Sequence, residues 1–178
     1  MDRFRTWAEK EYSPRKRFIA IVVAGAFFLF LFPGLIIFLA NGIDSIFKLP
    51  SFDQGTLNSF IGAILILSGG AFAIGTIVAQ YRFARGTPLP MMATQELLID
   101  GPFSYCRNPM SLGTIVMYFG LVAWIGSWSA LVIVLSLGLI LLAYLWVIEE
   151  KELEMRFGEE YRAYRAKTSF ILPKLRDR

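Results

Sequence analysis

The chain has 178 residues, 56% of them hydrophobic, with a formal net charge of +4 and a mean hydropathy of +0.54. That is too apolar for an ordinary soluble domain, and the uninterrupted apolar runs point to an all-α integral membrane protein with about four transmembrane helices. The lack of histidine excludes a His-based metal site, base or pH switch, and a single cysteine excludes an internal disulfide.

An N-terminal arm precedes the first apolar run and carries Arg3, Arg5, Lys10, Arg15, Lys16 and Arg17. Span 1 is expected over Phe18–Ala40 and span 2 over Leu57–Tyr81, and neither holds a charged residue. In lipid the backbone must satisfy its own hydrogen bonds, so both are read as helices. The loop between them has one basic residue, Lys48, beside Asp44 and Asp53. Span 2 is rich in small residues (Gly62, Ser68, Gly69, Gly70, Ala71, Ala73, Gly75), which let membrane helices approach closely. No strand or lysine accompanies these glycines, so a phosphate loop is excluded.

The connection from Arg82 to Asn108 is long and is broken by "GTPLP" and "DGP". Met91, Met92, Leu97, Leu98, Ile99 and Phe103 give it apolar surface to bury, so an ordered, partly embedded loop is expected. Span 3 follows over Pro109–Gly126 and span 4 over Ser129–Ile148, joined by the uncharged turn "GSWS". After span 4, Leu153, Phe157, Tyr161 and Tyr164 recur every three to four residues, predicting an amphipathic helix lying back on the membrane face. Basic residues concentrate in the N-terminal arm, the span 2–3 loop and the tail. Both termini are therefore expected in the cytoplasm. The basic arm, with no targeting peptide, leans towards a prokaryotic cell membrane. Basic residues that flank spans favour an anionic lipid surface over nucleic acid.

Spans 3 and 4 are short antiparallel neighbours of roughly 27 to 30 Å each, so Arg107 and Asn108 should lie level with Glu149 and Glu150. Asn108 and Pro109 suit a helix N-cap and first turn, and the same N-terminus with Arg107 suits a carboxylate. Arg107 reads equally as an interface-anchoring cation, and Cys106 as a small filler. Glu149 and Glu150 sit at the negative end of a helix, which is unfavourable without a partner. That partner is a ligand cation, a sugar diol or Arg107 itself. S-adenosylmethionine carries a carboxylate, an ammonium, a sulfonium, hydroxyls and a flat ring, and so matches these groups.

"GPFSYCRNPMSLG", a hydrophobic hairpin and then "EEKELEMRFGEEYRAYRAKTSFILP" together resemble the isoprenylcysteine carboxyl methyltransferase family. The related phospholipid N-methyltransferases are similar in the same region, Gly86 to Pro173. The resemblance implies a membrane-embedded methyltransferase that binds S-adenosylmethionine without a Rossmann domain and releases S-adenosylhomocysteine. It implies a cofactor pocket formed by Arg107, Asn108 and Pro109 with Glu149 and Glu150. Phe157, Gly158, Tyr161, Tyr164 and Arg165 would close it, Gly101, Pro102 and Tyr105 would lead into it, and Met110 and Gly113 continue the first motif. Arg107, Glu149 and Glu150 are the residues expected to bear on catalysis, with Arg107 on the methionine carboxylate and Tyr161 and Tyr164 packed over the cofactor. Asn108 stands where many members have His, and Ser111 where many have Tyr.

Residues 82–178 are thus expected to be the methyltransferase core, and 1–81 a helical hairpin on the acceptor side. The expected reaction moves a methyl group to a lipophilic acceptor entering from the bilayer, either a prenylcysteine-like carboxylate or another lipid, with phospholipid N-methylation as an alternative. A small transporter would be expected to carry ionisable residues within its spans, and none occurs. A non-catalytic lipid-binding protein is the remaining alternative.

Overall fold

The computed structural model describes residues 12–52, 55–84, 87 and 94–173. Met91 and Met92, and the basic residues Arg3, Arg5 and Lys10, lie outside them. The described chain is all-helical, with α1 at Pro14–Phe47, α2 at Thr56–Phe83, α3 at Pro109–Ile125 and α4 at Trp128–Lys167. Three of these are long and apolar enough to cross a membrane, and α3 is a shorter apolar helix. Span 1 extends past its expected limits at both ends. Pro14 opens α1 from the extended Ser13, and Lys48 in the left-handed region closes it.

The expected break between span 4 and a separate amphipathic helix is absent. Helix α4 runs without interruption out of its apolar part (Trp128–Ile148) into the charged Glu150–Lys167 segment. It bends later, at Gly158, whose φ of 53° suits a residue without a Cβ. Leu153 and Phe157 are therefore only half-buried, while Tyr161 and Tyr164, beyond the bend, are buried.

Two π turns interrupt the rods, at Phe27–Leu31 in α1 and Leu145–Glu149 in α4. A π turn inserts one residue and disturbs the regular hydrogen-bond ladder, a cost that is largest in lipid. In α1 the Tyr118 hydroxyl of α3 donates to the Phe28 carbonyl at 2.7 Å. In α4 the extra residue rotates Glu149 and Glu150 relative to the apolar face that precedes them.

The closest packing is between α2 and α3, which run antiparallel. Gly69 faces Gly113, and Gly62 faces Gly120, seven residues apart on each helix. A Cβ on Gly69 would lie 2.6 Å from the Gly113 carbonyl oxygen and 2.6 Å from the Met117 nitrogen. A Cβ on Gly113 would lie 2.7 Å from the Gly69 oxygen and 2.7 Å from the Ala73 nitrogen. Only glycine permits that backbone contact, and in a bilayer such van der Waals contact replaces the hydrophobic drive between helices. The first half of α4 packs against the second half of α1, and α1 has no extended contact with α2. Much of α1 is exposed, but Phe32, Ile36 and Ala40 in its second half pack with Tyr118 and Val122 of α3 and Ala130 and Val134 of α4 in the apolar core.

At the end of the bundle far from Arg107, α3 turns into α4 through Gly126 (φ 67°) and Ser127. Ser127 Oγ accepts from the Ala130 amide at 3.0 Å, capping α4, and donates to Asp44 Oδ2 of α1 at 2.5 Å. The Phe52 amide and Ser51 Oγ both donate to the Gly126 carbonyl, at 2.9 and 3.0 Å. This tight turn returns α4 to the level of the start of α3.

Replacing Gly69 or Gly113 with leucine should therefore destabilise the protein by roughly 1–3 kcal/mol or more, since backbone cannot yield as a side chain can. Gly75→Leu, at a position with nothing within 4 Å, should leave the thermal midpoint in detergent unchanged.

Candidate functional site

The polar residues converge where α3 begins and α4 leaves its apolar stretch. A short 3₁₀ turn at Gly101–Ser104, opened by Gly101 at φ 60°, leads in from the α2 side. Cys106 is fully buried, and burial pushes its thiol above the usual range, so it fills space and is a poor nucleophile. Pro109 is buried at the first position of α3. Asn108 occupies the N-cap position, but its side chain does not cap: Nδ2 donates to the Phe170 carbonyl at 3.0 Å. Capping by the Asn108 side chain is thus corrected, because the returning C-terminal segment competes for it.

Arg107 and Glu150 form a buried ion pair, each side chain 8% exposed. Arg107 Nε donates to Glu150 Oε1 at 2.7 Å, and Nη2 lies 2.5 Å from the same oxygen. Nη1 donates to the Arg165 carbonyl at 3.2 Å and also to the Thr168 carbonyl. Those carbonyls belong to the C-terminal end of α4, where acceptors lack intrahelical partners and the dipole is negative. Arg107 therefore caps α4 from across the site. Its backbone amide adds a bond to the Ser169 carbonyl at 2.8 Å.

Beyond the Gly158 bend, the Tyr164 hydroxyl donates to the Phe103 carbonyl at 2.7 Å. The Tyr161 hydroxyl is buried beside Glu150 and has no well-formed hydrogen bond among the described residues. Burial raises both phenols well above their usual range, so both remain protonated donors. Glu149 is the first residue past the apolar part of α4 and is half-buried. It has no ion pair or hydrogen bond among the described residues. Burial, then the Glu152 and Glu150 carboxylates, push its pKa up to about 7. Glu152 is itself buried and pairs with Arg156 at 3.6 Å, and Arg156 also donates to the Thr94 carbonyl of the incoming loop.

The structure thus brings Arg107, Asn108, Pro109, Glu149, Glu150, Tyr161 and Tyr164 to one junction. Met110 is half-buried at the first turn of α3, and Pro102 supports the lead-in turn. Gly101 and Tyr105 are exposed, and Arg156 stacks over the Phe157 ring at 5.1 Å. Gly113 packs against α2. The sequence reading missed Glu152, whose charged neighbours hide its burial. It also missed the carbonyls of Phe103, Arg165, Thr168 and Phe170, since a backbone acceptor leaves no mark in residue identity.

A family model described as phospholipid methyltransferase matches residues 57–160, more than half of the chain. The chain belongs to the phospholipid methyltransferase family. It is a membrane methyltransferase that uses S-adenosylmethionine, and its family implies a lipid methyl acceptor. The family includes members like the isoprenylcysteine carboxyl methyltransferases. No curated protein matches the chain.

In this methyltransferase, removing one partner of the buried pair strands the other. Arg107→Gln and Glu150→Gln should each cost about 3–5 kcal/mol. The double variant should cost clearly less than their sum. Thermal denaturation in detergent, run as a double-mutant cycle, measures all three.

Proposed function

We propose that the junction between the Gly101–Pro109 segment and the Glu149–Tyr164 segment holds S-adenosylmethionine, and that the methyl group passes to a lipid entering laterally from the bilayer. The observation that carries this reading is Glu149. It is a half-buried carboxylate with no cationic partner among the described residues, beside an Arg107–Glu150 pair that is already complete. A carboxylate in that setting is stabilised by an added cation, and the ammonium of S-adenosylmethionine supplies one. The residues therefore fit the group.

The role assigned to Arg107 changes in this reading. Its guanidinium is committed to Glu150 and to two backbone carbonyls. Its part is to hold Glu150 and the end of α4 in place, making it a positioning residue. The methionine carboxylate then falls to the first turn of α3, whose amides no side chain caps. Tyr161 offers a buried hydroxyl close by.

Bound S-adenosylmethionine supplies an activated methyl on a sulfonium, so the chain needs no nucleophile of its own. What remains for the protein is to hold the two reactants in line and to exclude water. Orientation follows from the basic residues that flank this end of the bundle, including Arg15, Lys16, Arg82 and Arg162. We place this end in the cytoplasm.

Glu149 sets the pH dependence. Below about 7 the free carboxyl is protonated, so binding a cation there requires a proton to leave; above it the site is already charged. Affinity for S-adenosylmethionine should therefore fall by up to about tenfold per pH unit as pH drops below that value. Glu149→Gln should bind more weakly and flatten the profile. Calorimetry in detergent across this pH range tests both. Unchanged affinity and an unchanged profile in Glu149→Gln would sink the role given to Glu149.

A further inference from the structure

Four arginines in the described chain are half-buried: Arg17, Arg107, Arg156 and Arg165. Three have a glutamate partner, Glu150, Glu152 and Glu154 respectively. Arg17 has none among the described residues. Its Nε and Nη1 are buried and make no hydrogen bond among them. Its guanidinium lies over the Tyr81 ring, 5.1 Å from the centroid. The Tyr81 hydroxyl in turn donates to the Pro14 carbonyl at 3.4 Å, fixing the ring against the start of α1.

Arg17 is on α1 and Tyr81 on α2, so the pair bridges two helices that otherwise share no extended contact. The bridge lies at the end of the apolar stretches, with exposed Arg15, Lys16 and Arg82 around it. From Phe18 onward on α1, and back from Tyr81 on α2, both helices carry uncharged, mostly apolar side chains through their spans. A molecule with acyl chains between these helices would place its headgroup at Arg17. A partly desolvated guanidinium held over an aromatic ring, with no acidic partner among the described residues, suits the oxygens of a phosphate.

We propose that Arg17, on its Tyr81 platform, binds the phosphate of a phospholipid lying between α1 and α2. The same end of α2 packs on the Gly101–Ser104 turn that leads to Arg107. The bound headgroup is therefore on the same membrane face as the methyl-transfer site. That this phospholipid is the methyl acceptor rests on the function proposed above; the phosphate site does not.

The test uses the full-length protein in detergent, with phosphatidylethanolamine or diacylglycerol added and lipid retention read by native mass spectrometry. Arg17→Gln should retain phosphatidylethanolamine roughly tenfold less well, the loss expected for one charge-assisted contact. Retention of diacylglycerol and affinity for S-adenosylmethionine should not change, and Arg15→Gln should behave as wild type. In turnover assays Arg17→Gln should raise KM for the phospholipid and spare kcat. Arg17→Lys should fall between the two, since it keeps the charge and loses the fork. Equal retention in wild type and Arg17→Gln would overturn the proposal, and so would displacement of the lipid by inorganic phosphate. If Arg17 governs retention yet no lipid is ever methylated, the phosphate site stands and the lipid-acceptor reading fails.

Discussion

A guanidinium and a carboxylate are buried together where α3 starts and α4 emerges, and most of the surrounding structure serves that pair. Burying two charges is costly unless every remaining donor finds an acceptor. Arg107 finds its further acceptors in the carbonyls at the end of α4. To deliver them, α4 must bend back after leaving the membrane, which is what Gly158 permits. Residues 168–170 then close over the segment, with Asn108 and the Arg107 amide holding them. The ion pair thus links the loop before α3, the exit of α4 and the C-terminal strap into one rigid junction. Glu149 lies beside it with no cationic partner among the described residues.

The position of that junction depends on a second constraint of a different kind. Lipid offers no hydrophobic reward for packing apolar helices together, so α2 and α3 are held by direct contact of backbones at their glycines. This contact fixes α3, and the tight Gly126–Ser127 turn fixes α4 relative to α3. Helix α1 is held through its second half, where Ile36 and Ala40 join Tyr118, Val122, Ala130 and Val134 in one apolar core, and by the Tyr118 bond to its π turn. The result is an apolar core shared by α1, α3 and α4, with α2 joined to α3 through the glycine contacts.

Much of this was legible in the chain. Apolar runs free of charge gave four helices, because lipid tolerates no other backbone arrangement. The short "GSWS" turn gave the shared level of Arg107 and Glu150, because two helices of similar length must return to where they began. Other features were hidden for physical reasons. The π turn before Glu149 leaves no compositional trace, and it decides which way the glutamates face. The uncharged-to-charged change after Ile148 looked like a helix boundary, whereas helix hydrogen bonding carries on regardless of side-chain polarity. Gly158, read with the residues that close the cofactor pocket, is also where that charged helix bends. Gly113, read with the cofactor motif, proves to be a packing glycine against α2. The choice between an Arg107–Glu salt bridge and a ligand contact could not be made from residue types, because both use the same groups.

The central claim is that this chain moves a methyl group from S-adenosylmethionine to a membrane lipid. The direct measurement is to incubate the purified protein in lipid nanodiscs with isotopically labelled methyl donor and a total lipid extract, then separate lipid from water-soluble products. Label should appear in a lipid fraction, dependent on the protein and, at limiting methyl donor, reduced in Glu149→Gln. Label confined to water-soluble products, or lipid labelling that Glu149→Gln leaves intact, would contradict that claim.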